Sequence, residues 1–431
     1  MVRRPSLSGN ALWALAGQVA LALGQWGALA ALAKGAASKD VGQYALALSV
    51  ATPAFAFAGM QLRSVMATDA AGRFRFKDYL SLRIAGAAAT CALLGCLTFF
   101  VPSLRSAGAA LAAVAVMKCA EAMSDCAYGL FHRHENLRAV SISQLLKGAL
   151  AVPVVAVAVN VWPAASTAAL AIAGVWVVVL VAFDVPRIVR VLRTERVPEA
   201  SGGGPMALLV QVLPLGIIVL LLSVTGNVPR YFLEGVHGAA ALGVLAALGY
   251  FVVAVDLAVG AAHQAAMPSL ARAFLDDRPR FRRLTVGLVG VAVAFSGFAF
   301  LFVLLLGAPV LRLAYTPEYA EHAEVLAWLM AGCVVAVTAG AVGTALTAAR
   351  VLWAQLPINL VSLVAITALS ALLVPKHGLE GAAWALLGMA LVKLVLVTAV
   401  WLREGARPSA VGLDEASRES VRTPAGAEGA R

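Results

Sequence analysis

The chain has 431 residues, of which 61% are hydrophobic and 13% are charged, and its formal net charge is +11 at pH 7. A soluble protein of this size could not cover so much apolar side chain with so few polar residues, so the composition excludes a soluble globular enzyme. Runs of about 20 apolar residues, each long enough to cross a hydrocarbon core of about 30 Å, recur along most of the chain and predict a polytopic membrane protein.

The apolar runs predict helices rather than strands. They are rich in Ala, Leu, Val and Gly, small residues that let helices approach closely in lipid. Membrane strands of about 10 residues with alternating polarity are not seen in the sequence. We therefore predict an all-α polytopic membrane protein with about 12 transmembrane helices. The predicted spans are residues 11–33, 42–62, 84–102, 108–131, 143–160, 167–186, 207–226, 240–262, 285–306, 325–347, 355–374 and 381–402.

The basic residues fall mainly on alternate connections between these spans. Of the 33 Lys and Arg residues, 25 lie on one set of connections and in the terminal segments, six lie on the other set, and two lie within spans. The larger set includes Arg83 and Lys147. This bias predicts that both termini are cytoplasmic, and it explains the positive charge without nucleic acid as a partner.

The start of the chain resembles a cleavable signal peptide. Arg3 and Arg4 precede an apolar run that contains the small residues of Ala28-Leu29-Ala30. The run is longer than a signal-peptide core, and another span follows at once, so we expect a retained first span. Within that span, Gln18 and Gln25 are candidates either to line a sugar cavity or to hydrogen-bond a neighbouring helix.

The fourth span carries three ionisable residues on one helical face. In AVAVMKCAEAMSDCAYGLF at 113–131, Lys118, Glu121 and Asp125 are three and four residues apart. A charge near the bilayer centre costs about 3 kcal/mol even on mild scales, so such groups face a partner or a wet cavity. Two interpretations stay open: an internal ion-pair cluster, or a cavity wall in which Lys118 attracts an anion and the acids carry H⁺ or Na⁺.

The cysteines suggest neither a metal site nor a disulfide framework. All of them lie inside apolar spans, at spacings that do not match metal ligation. We expect them to be small packing residues: Cys91, Cys96, Cys119, Cys126 and Cys333.

A basic, glycine-rich stretch divides the chain into two sets of six spans. We predict an N-terminal six-helix lobe (1–186), a basic Gly-rich cytoplasmic linker (187–206), a C-terminal six-helix lobe (207–402) and a disordered cytoplasmic tail (403–431). Two lobes with equal span numbers are a recurring plan among transporters.

Charged residues also occur in the second half. In SVTGNVPRYFLEGV at 223–236, Pro229 predicts a helix break or a new helix start near the external surface. Arg230 is either an interfacial anchor or part of an anion site. Asp256 lies mid-span and needs a partner or a proton, whereas Lys393 either snorkels to the interface or faces a cavity.

Four blocks, in order along most of the chain, carry a family resemblance. They are NALWALAGQVALALGQWGALAALAKGAASKDVGQYALALSVATPAF at 10–55, KCAEAMSDCAYGLFHRHENL at 118–137, PLGIIVLLLSVTGNVPRYFLE at 214–234 and AYTPEYAEHAEVL at 314–326. Together they resemble polysaccharide (Wzx-type oligosaccharide) flippases of the multidrug/oligosaccharidyl-lipid/polysaccharide (MOP) exporter superfamily.

The resemblance implies a MATE-like fold, with two six-helix bundles that form a V with a pseudo-two-fold axis. It implies that the chain flips a polyprenyl-pyrophosphate-linked oligosaccharide, by ion-coupled alternating access, for surface polysaccharide or lipopolysaccharide biosynthesis in the bacterial plasma membrane. Membrane lipids and other polysaccharide-assembly proteins are the further partners expected. No catalytic residue, metal or cofactor is expected, and H⁺ or Na⁺ is the expected coupling ion. Carried over to this chain, the substrate candidates are Lys118, Arg230, Lys393, Gln18 and Gln25, and the coupling candidates are Glu121, Asp125 and Asp256.

Other functions stay open at this point. A MATE-type drug/cation antiporter would need acids deep in the cavity, where Lys118 and Lys393 would repel cations. A major-facilitator carrier would need an Asp-Arg pair that DAAGRFR at 69–75 lacks. A membrane-embedded oligosaccharide polymerase or ligase would need a substantial outer loop, and the longest is 307–324. A lipid-binding scaffold is the remaining alternative.

Overall fold

The computed structural model describes residues 7–69, 72–194, 203–351 and 353–406, and within these ranges the chain is almost entirely helical, without strands. The helices are α1 (Leu7–Gly35), α2 (Ser38–Gly59), α3 (Leu62–Thr68), α4 (Phe76–Phe100), α5 (Pro102–Ser106), α6 (Gly108–Arg133), α7 (Leu137–Val161), α8 (Ala165–Val179), α9 (Val185–Thr194), α10 (Gly204–Asp276), α11 (Arg278–Ala314), α12 (Pro317–Ala320), α13 (Ala323–Ala348) and α14 (Gln355–Ala406). A π-helical turn, Leu180–Asp184, joins α8 to α9. The prediction of an all-α polytopic membrane protein is confirmed.

The helices supply the expected number of membrane crossings. Nine continuous helical segments of the described chain are long and apolar enough to span a bilayer. Two of them, α10 and α14, are interrupted by Gly238 (φ 81°) and Gly378 (φ 53°), so each provides two crossings. Both glycines have a positive φ, which favours glycine because it has no Cβ. With α6, whose three ionisable residues lower its hydropathy, the described residues form twelve crossings.

The predicted helix break at Pro229 is wrong. Pro229 is buried within α10, which continues to the turn at Gly238. Thr225 donates to the carbonyl of Leu221 at 2.7 Å, and Asn227 donates to that of Ser223 at 2.8 Å. Both bonds lie in the turn before Pro229, whose missing N–H leaves the carbonyl of Thr225 without its helical donor.

Several boundaries differ from those predicted. Helix α9 occupies residues 185–194 and therefore enters the predicted linker, and α14 continues to Ala406, into the predicted tail. The remaining parts of that linker and tail, residues 195–202 and 407–431, lie outside the described residues. The connection predicted at 307–324 is shorter than expected, because α11 and α12 extend into it. The four-part division of the chain stays a prediction.

Helix contacts fall into two groups. In the first half, α1 packs on α7, and α6 packs on α2, α4 and α8; in the second half, α13 packs on α10, α11 and α14. The two halves meet chiefly where α2 packs along α10. We call the end of the bundle where α4 begins and α10 ends the basic end, since it carries Arg75, Lys77, Arg272 and Arg280, and we call the other the opposite end.

The halves are in close contact at the opposite end. A Cβ on Gly42 of α2 would overlap the backbone of Ala239 in α10, so only glycine fits there. Trp26 Nε1 donates to the hydroxyl of Tyr315 at 3.0 Å, and that hydroxyl donates to the carbonyl of Ala247 at 2.9 Å. Lys34 Nζ donates to the carbonyl of Leu313 at 2.9 Å. We call the Trp26–Tyr315–Ala247 hydrogen bonds the latch.

Towards the basic end, α1 and the second half of α10 separate. An apolar groove of about 560 Å³ lies between them, lined by Leu15, Val19 and Leu23 on one side and by Val253 and Ala258 on the other. The latch therefore ties α1 to α10, and the two helices are open towards the basic end. A second cavity, of about 600 Å³, lies at the opposite end among α1, α7 and α11.

Candidate functional site

A cavity of about 310 Å³ lies among α2, α3, α4, α6 and the first half of α10. Its polar and charged lining residues lie between α2 and α6 and are Thr52, Gln61, Arg63, Ser64, Arg83, Lys118, Glu121 and Asp125. Three of these side chains are cationic and two are carboxylates, so the cavity carries a net positive charge.

Helix α6 carries the three ionisable residues for which the sequence left two interpretations open, and they are both ion-paired and part of the cavity lining. Lys118, Glu121 and Asp125 project from one face into this cavity. Lys118 Nζ donates to Glu121 Oε2 at 2.7 Å, while the Glu121 side chain is 40% exposed. The shared face is thus confirmed, and Glu121 borders open space.

Two arginines reach the same cavity from other helices. Arg83 of α4, only 7% exposed, forms an ion pair with Asp125 Oδ2, and Arg63 Nη1 lies 3.5 Å from Asp125 Oδ1. Met60 and Gln61 have positive φ values of 44° and 56°, and this turn between α2 and α3 brings Arg63 to the cavity. Asp125 therefore lies between two guanidinium groups.

Sequence reasoning missed these arginines as site residues. It placed Arg83 and Lys147 in connections, and this was wrong: both lie inside helices, with 6% and 2% of their surface exposed. The predicted span 84–102 began just after Arg83 and so shortened α4. The predicted span 143–160 contained Lys147, although its charge was counted with the connections. Asp78 was a usable sequence signal, because an acid at the third position of a helix marks its start and would have placed the beginning of α4 before Arg83. In the structure, the backbone N–H of Arg75 donates to Asp78 Oδ2 at 2.9 Å.

Lys147 is the centre of a separate buried network. Its Nζ lies 2.7 Å from Ser124 Oγ, 2.9 Å from the Tyr128 hydroxyl and 3.1 Å from Asp184 Oδ2. Asp184 is fully buried at the end of the π-helical turn. Ser124 and Tyr128 belong to α6, so the network supports the helix that carries the cavity acids and Lys118.

Arg230 lies at the contact between the two halves, outside the lining of this cavity. Its Nη1 donates to Asn227 Oδ1 at 3.2 Å, and no ion pair within the described ranges involves it. The next residue, Tyr231, donates to the carbonyl of Ser49 in α2 at 2.6 Å. Arg230 is thus a guanidinium without a carboxylate partner in the part of the chain that the structure describes.

The other predicted site residues lie elsewhere. Asp256 is exposed on the second half of α10, near His263 and Cys333. Lys393 is partly buried in α14, Gln25 is partly buried in α1, and Gln18 is exposed on the same helix. The structure therefore groups Lys118, Glu121 and Asp125 and does not bring the remaining five candidates into this cavity.

The cavity has the chemistry of an anion site. Guanidinium groups present several N–H donors in a fixed plane that matches phosphate oxygens, and a lysine adds a mobile cationic donor. Because Arg83 is almost completely buried, its charge is screened little by water. The same three cations repel a cationic ligand.

No family model matches the chain. It is similar to the capsular polysaccharide biosynthesis protein CapF of Staphylococcus aureus, with 23% identity over 347 residues that cover 80% of this chain and 86% of CapF.

Solved structures of transporters share the fold. They include the MATE multidrug transporter DinF-BH (TM-score 0.66, 13% identity, 92% of this chain and 95% of that chain). The lipid II flippase MurJ in an inward closed conformation gives a TM-score of 0.65 at 11% identity, over 95% of this chain and 92% of that chain. An inward-facing MATE transporter of the MOP superfamily gives 0.63 at 11% identity, over 98% of both chains. They show that the chain has the transporter fold that the resemblance to MOP polysaccharide flippases implies, and the similarity to CapF agrees with that resemblance.

Proposed function

We propose that this multi-pass membrane protein flips a polyprenyl-pyrophosphate-linked oligosaccharide from the cytoplasmic to the outer leaflet, for surface polysaccharide biosynthesis. The observation that carries the proposal is the cavity in which Arg63, Arg83 and Lys118 converge inside a membrane bundle. A pyrophosphate cannot cross about 30 Å of hydrocarbon unpaired, because burying an isolated charge is prohibitive. Three cations within one cavity supply the counter-charge.

The groove between α1 and α10 suits the lipid part of this substrate. Its lining is almost wholly apolar, and it is open towards the basic end, where the positive-inside rule predicts the cytoplasm. A polyprenyl chain in the groove would keep contact with apolar surface. The groove and the cavity share no lining residue, so the headgroup would pass between the halves to reach the cations. Arg230, at the contact between the halves, would meet the phosphates as they pass.

Transport would proceed by alternating access, driven by H⁺ or Na⁺. The present arrangement is closed at the latch and open at the groove, and the reverse arrangement would release substrate to the outer leaflet. The similarity to CapF supports polysaccharide biosynthesis as the pathway. The MATE-type drug/cation antiporter is less well supported, because both cavity acids are already paired with cations.

Reconstitution tests the proposal directly. In vesicles containing a labelled polyprenyl-pyrophosphate oligosaccharide, we expect the protein to accelerate leaflet exchange, and Lys118→Ala and Arg230→Ala to slow it without loss of membrane insertion. Lys39→Ala is the matched control, since Lys39 is exposed at the opposite end. Exchange unchanged by the wild-type protein would refute lipid flipping, and efflux of a lipophilic cationic dye in its place would favour the antiporter.

A further inference from the structure

The two acids of the cavity are ion-paired with the cationic side chains that an anionic substrate needs. Glu121 holds Lys118, and Asp125 holds both Arg63 and Arg83. With both acids in place, three cations are offset by two carboxylates, and a single net positive charge faces a pyrophosphate diester that carries a negative charge on each phosphate. The empty cavity is therefore poorly matched to the proposed headgroup.

The acids are the more exposed members of this cluster. The Glu121 side chain is 40% exposed and that of Asp125 is 31% exposed, whereas Arg83 is 7% exposed and Lys118 is 14% exposed. Arg63, at 29%, is about as exposed as Asp125. A carboxylate that borders open space can rotate away from its partner, while the buried guanidinium is held in position. Arg83 Nε, moreover, is buried without a hydrogen-bond partner among the described residues, so its donors are not all used by the protein.

We infer that substrate binding in this cavity is an ion-pair exchange, in which the pyrophosphate displaces Glu121 and Asp125 from Lys118, Arg63 and Arg83. The inference rests on the proposed function and adds a role for the acids. After release, the carboxylates pair again with the cations, so the empty carrier does not leave uncompensated charges in the membrane while it resets. The acids thus limit affinity and permit turnover.

Removing one carboxylate charge tests the exchange. With the full chain in nanodiscs and inorganic pyrophosphate as the probe, we expect Glu121→Gln to bind about fivefold more tightly, because Lys118 is no longer neutralised. We also expect slower dissociation and a lower maximal flipping rate in vesicles. A purely structural role would not give tighter binding together with slower turnover. Glu318→Gln is the control, since Glu318 is exposed on α12, away from the cavity.

The outcomes separate the two proposals. If Lys118→Gln weakens pyrophosphate binding and Glu121→Gln leaves it unchanged or weakens it, the exchange is refuted while the cationic site stands. If neither Lys118→Gln nor Arg63→Gln affects binding, the phosphate site itself is refuted, and the proposed function loses its main support. Tighter binding in Glu121→Gln without any loss of flipping rate would also overturn the exchange, because the acids would then have no part in release.

Discussion

Buried charges in this protein have two kinds of surroundings. Lys147 is 2% exposed and has three polar partners within 3.1 Å. Lys118 has one carboxylate partner and borders a cavity. A charge whose donors are all used internally serves packing, whereas one with free donors beside open space is available to a ligand.

Lys147→Met is expected to destabilise the protein by about 3–5 kcal/mol, because Asp184 would remain as a buried charge without its counter-ion. The double variant Lys147→Met/Asp184→Asn should lose less stability than the sum of the two single variants. Thermal unfolding in detergent measures all three. Strictly additive losses would contradict a direct interaction between the two side chains.

At this scale, spacing alone predicted the face shared by Lys118, Glu121 and Asp125, because those residues belong to one helix. The partners Arg63 and Arg83 depend on how α3 and α4 pack against α6, and a single sequence does not contain that distance. Lys147 and Asp184 are 37 residues apart and were missed for the same reason.

At the scale of helices, small residues decide how closely the crossings approach. Gly24 of α1 lies against Gly148 of α7, and a Cβ at either position would meet backbone atoms of the other helix at 2.4 Å and 2.2 Å. This contact is the kind that an Ala- and Gly-rich composition permits, since packing drives helix association in lipid.

Gly148→Ala should therefore lower the free energy of unfolding by about 1–3 kcal/mol, because the helices must separate to make room. Gly174→Ala is the matched control: Gly174 lies inside α8 with no atom of another element within 4 Å of a Cβ, and the change should be neutral or slightly stabilising. Equal thermal shifts for the two variants would contradict the close α1–α7 contact.

The approach of α4 to α6 can be tested with thiols. Cys91 Sγ and Cys119 Sγ are 3.4 Å apart. In a variant with Ser at the other three cysteines, we expect one equivalent of Hg²⁺ to bridge both thiols and block their reaction with a maleimide. The further change Cys119→Ala should leave Cys91 without a bridging partner. A requirement for two equivalents in the parent variant would show that the thiols are not adjacent.

At the scale of the whole molecule, the halves touch at both ends, because Gly42 lies against Ala239 at the opposite end and Leu208 is buried with Met60 near the basic end. They separate only between α1 and the second half of α10. The latch ties α1 to α10 through Tyr315, while the apolar groove divides the same two helices nearer the basic end. If the protein alternates between this arrangement and its reverse, an interaction made in only one of them shifts the population towards that one.

Tyr315→Phe removes the hydroxyl that makes both latch hydrogen bonds, and it should shift the protein away from the arrangement seen here. A cysteine introduced at Ala258, in the groove, should react with an impermeant maleimide up to about fivefold more slowly in Tyr315→Phe than in the protein with Tyr315. A factor of five corresponds to a loss of about 1 kcal/mol of hydrogen-bond energy. Tyr319→Phe is the control, because its ring lies 5.0 Å from that of Tyr315 while its hydroxyl has no partner among the described residues. Equal labelling in the two variants would exclude a gating role for the latch.

The global architecture was the most predictable part of the molecule. Hydropathy gave the crossings because the bilayer imposes a minimum length on every span, and four sequence blocks gave the resemblance. Helix ends were less accessible, because α4, α7, α10 and α11 extend beyond the apolar core into residues that a hydropathy window rejects. The turns at Gly238 and Gly378 depend on backbone angles that many other glycines in the chain do not adopt.

The π-helical turn at Leu180–Asp184 gives this crossing one place that can absorb a change of length. Such a turn holds about one more residue than an α-helical turn. Loss of a single apolar residue there would convert the wide turn into an α-helical one, so Asp184 and the arginine-bearing face of α9 would keep nearly the same direction. In an uninterrupted α-helix, by contrast, each lost residue rotates the chain that follows by about 100°. A one-codon deletion in this turn would therefore do less harm than the same deletion in a crossing without such a turn.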